Sequence, residues 1–201
     1  PNSLISCEGP ESQPIRCTHN HSSPLDIYEA IENSCNPYFW KVFKQMFSMP
    51  RFASSKEAYN YWYNNVISFG LGNTYKTDIP SEVSGNIPTA EFYDKMYRGV
   101  WNSMTVRSLS IGQGEILVTP LQLANMAAVI ANKGYYYPPH LIKSFDDGTP
   151  IDSNMTTKRV IDIKAKHFKD VKVGMCRVFE GNHGTARFSK IDSIQVAGKT
   201  G

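Results

Sequence analysis

The short apolar stretch Ile194-Gln195-Val196-Ala197 runs through Gly198 into Lys199-Thr200-Gly201, and this ending constrains the fold more than any other segment. A stretch of this kind reads as an edge strand. Its closing tripeptide has a specific chemical use. Lys199 supplies a fixed positive charge, and the Thr200 hydroxyl can hold a carboxylate. Gly201 leaves the strand edge bare, so that an extended ligand can lie against it. The expectation is therefore a sheet whose rim faces an anion. On its own, such a tripeptide also suits a strand running into a turn, so its weight depends on the residues upstream.

At 201 residues the chain can bury one sizeable core, and length alone allows one or two domains. A net charge of +3 without any Lys/Arg block gives no case for a nucleic-acid partner. No run of about 18 apolar residues is present, so no segment reads as a membrane-spanning helix, and no signal peptide opens the chain. The start at Pro1-Asn2-Ser3 and the stop on a chemically loaded tripeptide read as a piece of a larger protein.

Helical patterns dominate the first two-thirds. Ser23-Pro24 reads as an N-cap with proline at the first helical position, followed by Leu25, Tyr28 and Ile31 at helical spacing and ending near Asn33. Ser34-Cys35-Asn36-Pro37 breaks the pattern before a second helix from Tyr38 to Met46. A third runs from Ser55 to about Ser68, stopped by Gly70 and Gly72, and its Tyr59, Tyr61, Trp62 and Tyr63 read as packing. Residues 70 to 90 form a Gly/Pro/Asn-rich excursion. Thr119-Pro120 opens a helix over Leu121 to Asn132, with Gly134 as its C′ residue. Tyr135 to Phe145 reads as extended, ending at Asp146-Asp147-Gly148, and a last helix runs from about His167 to Phe179.

Ser34-x-Asn36 lies at the corner between two helices, where a hydroxyl and an amide can face one cleft together. Ser84-Gly85-Asn86 repeats the pattern in a loop, so the setting and not the tripeptide carries the signal. Taken alone, Ser34 reads as a turn or cap residue.

Together, Ser34-x-Asn36 and Lys199-Thr200-Gly201 match two of three signatures of penicillin-binding proteins and serine β-lactamases. The stretch Ala30-Ile31-Glu32-Asn33-Ser34-Cys35-Asn36-Pro37-Tyr38-Phe39 resembles the second-motif region of monofunctional (class B) penicillin-binding proteins. So do Ser110-Ile111-Gly112-Gln113-Gly114-Glu115 with Thr119-Pro120-Leu121-Gln122-Leu123-Ala124, and Val196-Ala197-Gly198-Lys199-Thr200-Gly201. The elongation-type branch fits best, the division-type branch next. The resemblance implies an α+β fold: helices on both faces of an antiparallel sheet, with an all-helical lobe carrying the second motif. Residues 1–201 would form part of a transpeptidase domain, with an incomplete sheet and poor stability alone.

One departure bears on the chemistry. No Ser-x-x-Lys, the family's source of the nucleophile, occurs in the 201 residues. The resemblance places it upstream, and places a further oxyanion-hole N–H just beyond the last residue, so this chain alone is expected not to acylate. For the intact protein it implies acyl transfer on peptidoglycan stem peptides through a serine acyl-enzyme, with β-lactams trapped as slow acyl-enzymes. Ser34 would relay a proton, Asn36 would orient the substrate amide, Lys199 and Thr200 would hold the terminal carboxylate, and Gly201 would leave room for it. No cofactor is needed for catalysis. A lipid-linked glycan polymerase as partner and a membrane anchor outside these residues are also implied, at the periplasmic face of the bacterial cytoplasmic membrane. Two rivals share the fold: a β-lactam-sensing receptor domain, and a serine β-lactamase. The β-lactamase would need a base for deacylating water, and nothing in the sequence marks Glu82 for it.

Cys7, Cys17, His19, His21 and Cys35 fall close together in sequence, and Cys35 sits inside the second motif. If the first segment folds back on that corner, Cys7, Cys17, Cys35 and His21, with His19 as the alternative, would make a closed tetrahedral Zn²⁺ site of structural use. A disulfide suited to an oxidising envelope and a plain buried thiol stand beside that reading. Some elongation-type relatives carry a metal near this corner. Cys176 reads as core, and His140, His167 and His183 as isolated histidines.

Overall fold

The computed structural model describes residues 3–200. Its first helix, α1 (Ile27–Glu32), is short and strongly capped. Asp26 Oδ1 accepts from the Glu29 N–H at 2.9 Å, and Glu29 Oε2 accepts from the Asp26 N–H at 3.0 Å, a reciprocal capping box. The start read at Ser23-Pro24 is therefore displaced. Leu25 is fully buried and exchanges both backbone hydrogen bonds with Ile5, each 2.9 Å, which keeps the chain extended through Leu25. A tertiary pairing overrode the Ser-Pro signal.

The second helix, α2 (Asn36–Phe47), begins two residues before the sequence expectation, with Pro37 in its first turn. The third, α3 (Ser55–Ser68), falls where the pattern placed it, its first turn capped by Ser54. A fourth, α4 (Ala90–Tyr97), was not read, although Thr89 caps it in the ordinary way by accepting from the Phe92 N–H at 3.3 Å. These three helices close over an aromatic core. Trp40 and Phe43 of α2, Tyr59 of α3, Tyr93 of α4 and the loop residue Trp101 are all buried. Tyr59 meets Trp101 edge-to-face at 5.4 Å, a favourable geometry for aromatic rings. The Tyr59 run is thus packing, as read.

Helix α5 (Pro120–Ala131) carries a second capping box, Thr119 with Gln122. It ends in a Schellman motif: Lys133 N–H donates to Ile130 O at 3.1 Å and Gly134 N–H to Val129 O at 2.9 Å. The left-handed C′ residue is Lys133 (φ +63), so Gly134 sits one place further on than expected. Its own need for glycine is both conformational, at φ +107, and steric. A Cβ there would lie 2.7 Å from the Phe168 ring, which packs on α5 from the last helix.

Strand β1 (Tyr135–Tyr136) pairs antiparallel with β2 (Arg159–Val160), and a single-turn helix, α6 (Ser153–Thr156), lies between them. This ribbon is the only sheet among the described residues. The remainder of 137–145 is irregular, and the turn at Asp146-Asp147-Gly148 forms with Gly148 N–H donating to Phe145 O. The final helix, α7 (Ala165–Glu180), packs along α1 and carries Gly174 at the contact.

The terminal strand expected over 194–197 is not formed. A strand requires a neighbour to pair its N–H and C=O groups, and none lies beside this segment among the described residues. Its nearest pairing is an isolated Ile191–Ile194 bridge, and Gly198 N–H turns instead to Met175 O of α7 at 3.1 Å. Cys176 is half-buried beside an open groove on α7 and is not core. The architecture is α+β and helix-rich with a small sheet. No helix among the described residues is long and apolar enough to cross a membrane.

Candidate active site

Ser34 owes its position to the way α1 stops. Ser34 N–H donates to Ile31 O at 3.2 Å and Cys35 N–H to Ala30 O at 2.9 Å, a second Schellman ending. The left-handed place in that motif falls to Ser34 itself, at φ +51. A non-glycine residue there carries a cost on the order of 1 kcal/mol and persists only where the surroundings fix it. The surroundings do fix it. Cys35 beside it is fully buried and starts α2, so the corner cannot relax in that direction.

Lys199 returns to this corner from 165 residues away, and its Nζ donates to Ser34 Oγ at 2.6 Å. It also donates to Thr200 O at 2.6 Å. The Lys199 side chain reaches solvent, yet the chain crowding around it desolvates the ammonium and lowers its pKa from the ordinary lysine value. Asn36 opens α2 on the same corner, and its Nδ2 donates to Arg16 O at 3.3 Å. Ser34, Asn36 and Lys199 are thus gathered at one corner. Gly201 lies outside the described residues.

Two residues that the sequence did not single out for this corner join it. Thr185 has its Oγ1 2.9 Å from Thr200 Oγ1. Its backbone N–H donates to Glu32 O at 3.2 Å, so the 181–185 bend is tied to α1 two residues before Ser34. The Glu32 carboxylate is largely buried, accepts from the His183 N–H at 3.2 Å and faces Arg177 at 4.0 Å. No local pattern signals such partners, which lie 151 residues from Glu32 in the case of His183.

Glu82 can be placed as well. Its carboxylate accepts from the N–H groups of Tyr75 and Lys76 and holds its own loop, a structural occupation.

The cysteines form a second cluster behind the corner. The ligand atoms of Cys7, Cys17, His21 and Cys35 all lie within 4.8 Å of one another. The thiols are free, and the three cysteines are buried. His21 Nδ1–H donates to Ser22 O at 2.8 Å, which fixes the tautomer and leaves the Nε2 lone pair facing Cys17 Sγ at 3.3 Å. His19 does not join the set; its ring bonds Thr18 and stands edge-on to His21. Burial pushes the Cys17 and Cys35 thiols up from the ordinary range, so without a cation both hold their protons at neutral pH.

A hydroxyl and an amide at a helix corner thus meet a lysine delivered from the far end of the sequence. The family is shown by comparison: the model of the penicillin binding protein transpeptidase domain matches residues 1–201, and the chain belongs to that family. Among known proteins it is similar to the peptidoglycan D,D-transpeptidase MrdA of Haemophilus influenzae, 30% identical over 179 residues, covering 88% of this chain and 26% of that protein. It is also similar to MrdA of Acinetobacter baumannii, 29% identical over 177 residues, covering 88% of this chain and 25% of that protein. Among solved structures, PBP2 of Pseudomonas aeruginosa in complex with WCK 5153 superposes with a TM-score of 0.70. That pair is 27% identical and the match covers 94% of this chain and 41% of the other. The chain spans about a quarter of the length of the curated relatives it matches.

Proposed function

We propose that this chain is part of a peptidoglycan D,D-transpeptidase of the elongation type, acylated by β-lactams as by its natural donor. The observation that carries the reading is the 2.6 Å contact from Lys199 Nζ to Ser34 Oγ, made across 165 residues beside Asn36. The family membership and the MrdA relatives support it. In this reading the nucleophile comes from a Ser-x-x-Lys outside these residues and attacks the penultimate D-alanine carbonyl of a stem peptide. Lys199 and Thr200 hold the terminal carboxylate of that peptide. Ser34, bonded to a cation of lowered pKa, passes a proton between the incoming or leaving amine and the lysine. Asn36 orients the donor amide. The partners are stem peptides, β-lactams and a lipid-linked glycan polymerase, at the periplasmic face of the cytoplasmic membrane to which an anchor would tether the protein. The occupation of Glu82 by its own loop favours this reading over a serine β-lactamase.

The cysteine cluster fits a structural Zn²⁺. Tetrahedral Zn–S bonds put neighbouring sulfurs ~3.8 Å apart, a small contraction from the observed spread. The His21 Nδ1–H bond to Ser22 O is the outer-shell hydrogen bond a ligating histidine makes. Three thiols and an imidazole would close the coordination sphere and leave no place for substrate. Such an ion would tie residues 7–21 to Cys35 and so brace the Ser34 corner.

The test is the intact mass of the full-length protein after benzylpenicillin, with the adduct mapped. An adduct on a Ser-x-x-Lys serine that is lost with Lys199→Ala is the expected result. A folded protein that takes no adduct overturns the reading.

A further inference from the structure

A concavity of about 340 Å³ lies between the loop that follows α3 and the β1–β2 ribbon, and it opens to solvent. The register of the ribbon builds one wall. Tyr136 stands opposite Arg159, so the two side chains share a face. The other face is marked by Tyr135, whose ring lies under Lys158 Nζ at 3.8 Å. The 73–76 loop builds the facing wall with Asn73, Tyr75 and Lys76. Asn154 of α6 ties the two walls together. Its Nδ2 donates to Tyr75 O at 2.9 Å and to Lys76 O at 3.0 Å, and its Oδ1 accepts from Arg159 Nη2 at 2.6 Å. One nitrogen of the guanidinium is thereby fixed, and the rest of the fork keeps its donors.

The charges on these walls have one sign. Lys76 and Arg159 both line the concavity, and neither makes an ion pair among the described residues. Neither wall carries a carboxylate. Glu82 belongs to the same loop, but its carboxylate is bound to the N–H groups of Tyr75 and Lys76 and lies outside the lining. Two cations around a concavity without a counter-charge raise the local concentration of anions.

A second group points to a ligand. The Tyr75 side chain is only 7% exposed, and its hydroxyl has no hydrogen-bond partner among the described residues. It stands beside Gly70, also on the lining, where a Cβ would lie 3.0 Å from the Tyr75 oxygen. A buried hydroxyl without a partner costs free energy that a ligand atom can return. The volume is more than a bare inorganic ion fills and sits at the small end of the range for organic ligands. Tyr136, Pro138 and Ile67 offer apolar surface, and Asn73 and Thr74 offer hydrogen-bonding groups. That mixture suits a pyranose, which has apolar C–H faces and a polar rim.

We propose that this concavity is a binding site for a sugar-sized anion, a sugar acid or a sugar phosphate, whose charge is held by Lys76 and Arg159. The site is independent of the acyl-transfer reading, since none of Ser34, Asn36 and Lys199 lines it.

Isothermal titration of the full-length protein with N-acetylmuramic acid and with N-acetylglucosamine 1-phosphate tests the assignment and separates the two sources of charge. Neutral N-acetylglucosamine and inorganic sulfate are the controls. At least one charged sugar should bind about tenfold more tightly than either control. Arg159→Gln and Lys76→Gln each remove a charge-assisted contact and should weaken that binding about tenfold. Both side chains are exposed, so these variants should unfold at the wild-type temperature. Tyr75→Phe removes only the unpartnered hydroxyl; it should unfold no earlier than wild type and bind about fivefold more weakly. A neutral sugar or sulfate bound as tightly as the charged sugars overturns the proposal. So does full affinity in all three variants, or a folded wild-type protein that binds neither charged sugar at millimolar concentration.

Discussion

Gly174 and Ile31 meet where α7 crosses α1, so closely that a Cβ on Gly174 would lie 2.7 Å from Ile31 Cδ1 and 2.8 Å from its Cβ. This crossing sets the site. Helix α1 ends in the Ser34 corner, and α7 runs out into the bend that carries Thr185. The separation of the two helices therefore fixes the distance between the Ser34 corner and the 181–185 bend.

Gly174→Ala tests how firmly that separation is held. Helix propensity favours alanine by about 1 kcal/mol. Against this, the new methyl meets a β-branched side chain whose own Cβ cannot rotate away. Overpacking of this kind costs about 1–3 kcal/mol, so the clash outweighs the gain. The expected outcome is a thermal unfolding midpoint lowered by a few degrees. Ile31→Val in the same background should recover only part of the loss, because it removes the Cδ1 contact and leaves the one at Cβ. A midpoint at or above wild type would show that the crossing yields.

The elements governed by local rules were legible in the sequence; those governed by distant partners were not. Helix α3 begins and ends where its Ser54 cap and the glycines after Phe69 put it. The start of α1 misled because Leu25 pairs with Ile5, and the Asp26–Glu29 box decides the boundary only once that pairing holds the chain extended. The strand at 194–197 could not be read correctly from its own residues, since strand formation depends on a neighbour. At the site, Ser34, Asn36 and Lys199 were named from their motifs and are brought together at one corner. Glu32 and Thr185 were not, because a buried carboxylate received by a bend 151 residues away leaves no spacing to detect.

The cysteine cluster makes its own prediction. If Zn²⁺ is held by Cys7, Cys17, Cys35 and His21, protein prepared without chelators should carry one zinc per chain by elemental analysis. Cys35→Ser and His21→Ala should each lose most of it, and His19→Ala should not, since its ring is turned to Thr18. Chelation should lower the unfolding midpoint, because binding free energy at such a site is also folding free energy. Thiol titration of the denatured protein separates the alternatives. Four reactive thiols with bound zinc support the metal; two reactive thiols mean a disulfide. Four thiols without metal, and a midpoint indifferent to chelator, mean a buried apolar cluster.

The remaining prediction concerns pH and follows from Lys199. Burial lowers its pKa, so in the folded protein it sheds its proton before a free lysine does, below the ordinary ~10.4. The cost of burying the charge is present in full below the folded pKa. It is relieved as pH rises from that value towards the unfolded one, so this residue makes stability increase with pH in that window. Carboxylate binding runs the other way, because it needs the charge. Acylation by benzylpenicillin should therefore fall on the alkaline side before pH reaches the ordinary lysine range, while the folded state gains stability over the same interval. Arginine keeps its proton throughout but cannot reproduce the point charge beside Ser34 Oγ. Lys199→Arg should accordingly acylate more slowly than wild type at neutral pH and show no alkaline fall. An identical alkaline limb in wild type and Lys199→Arg would assign the titration to another group and remove Lys199 as the source of the pH dependence.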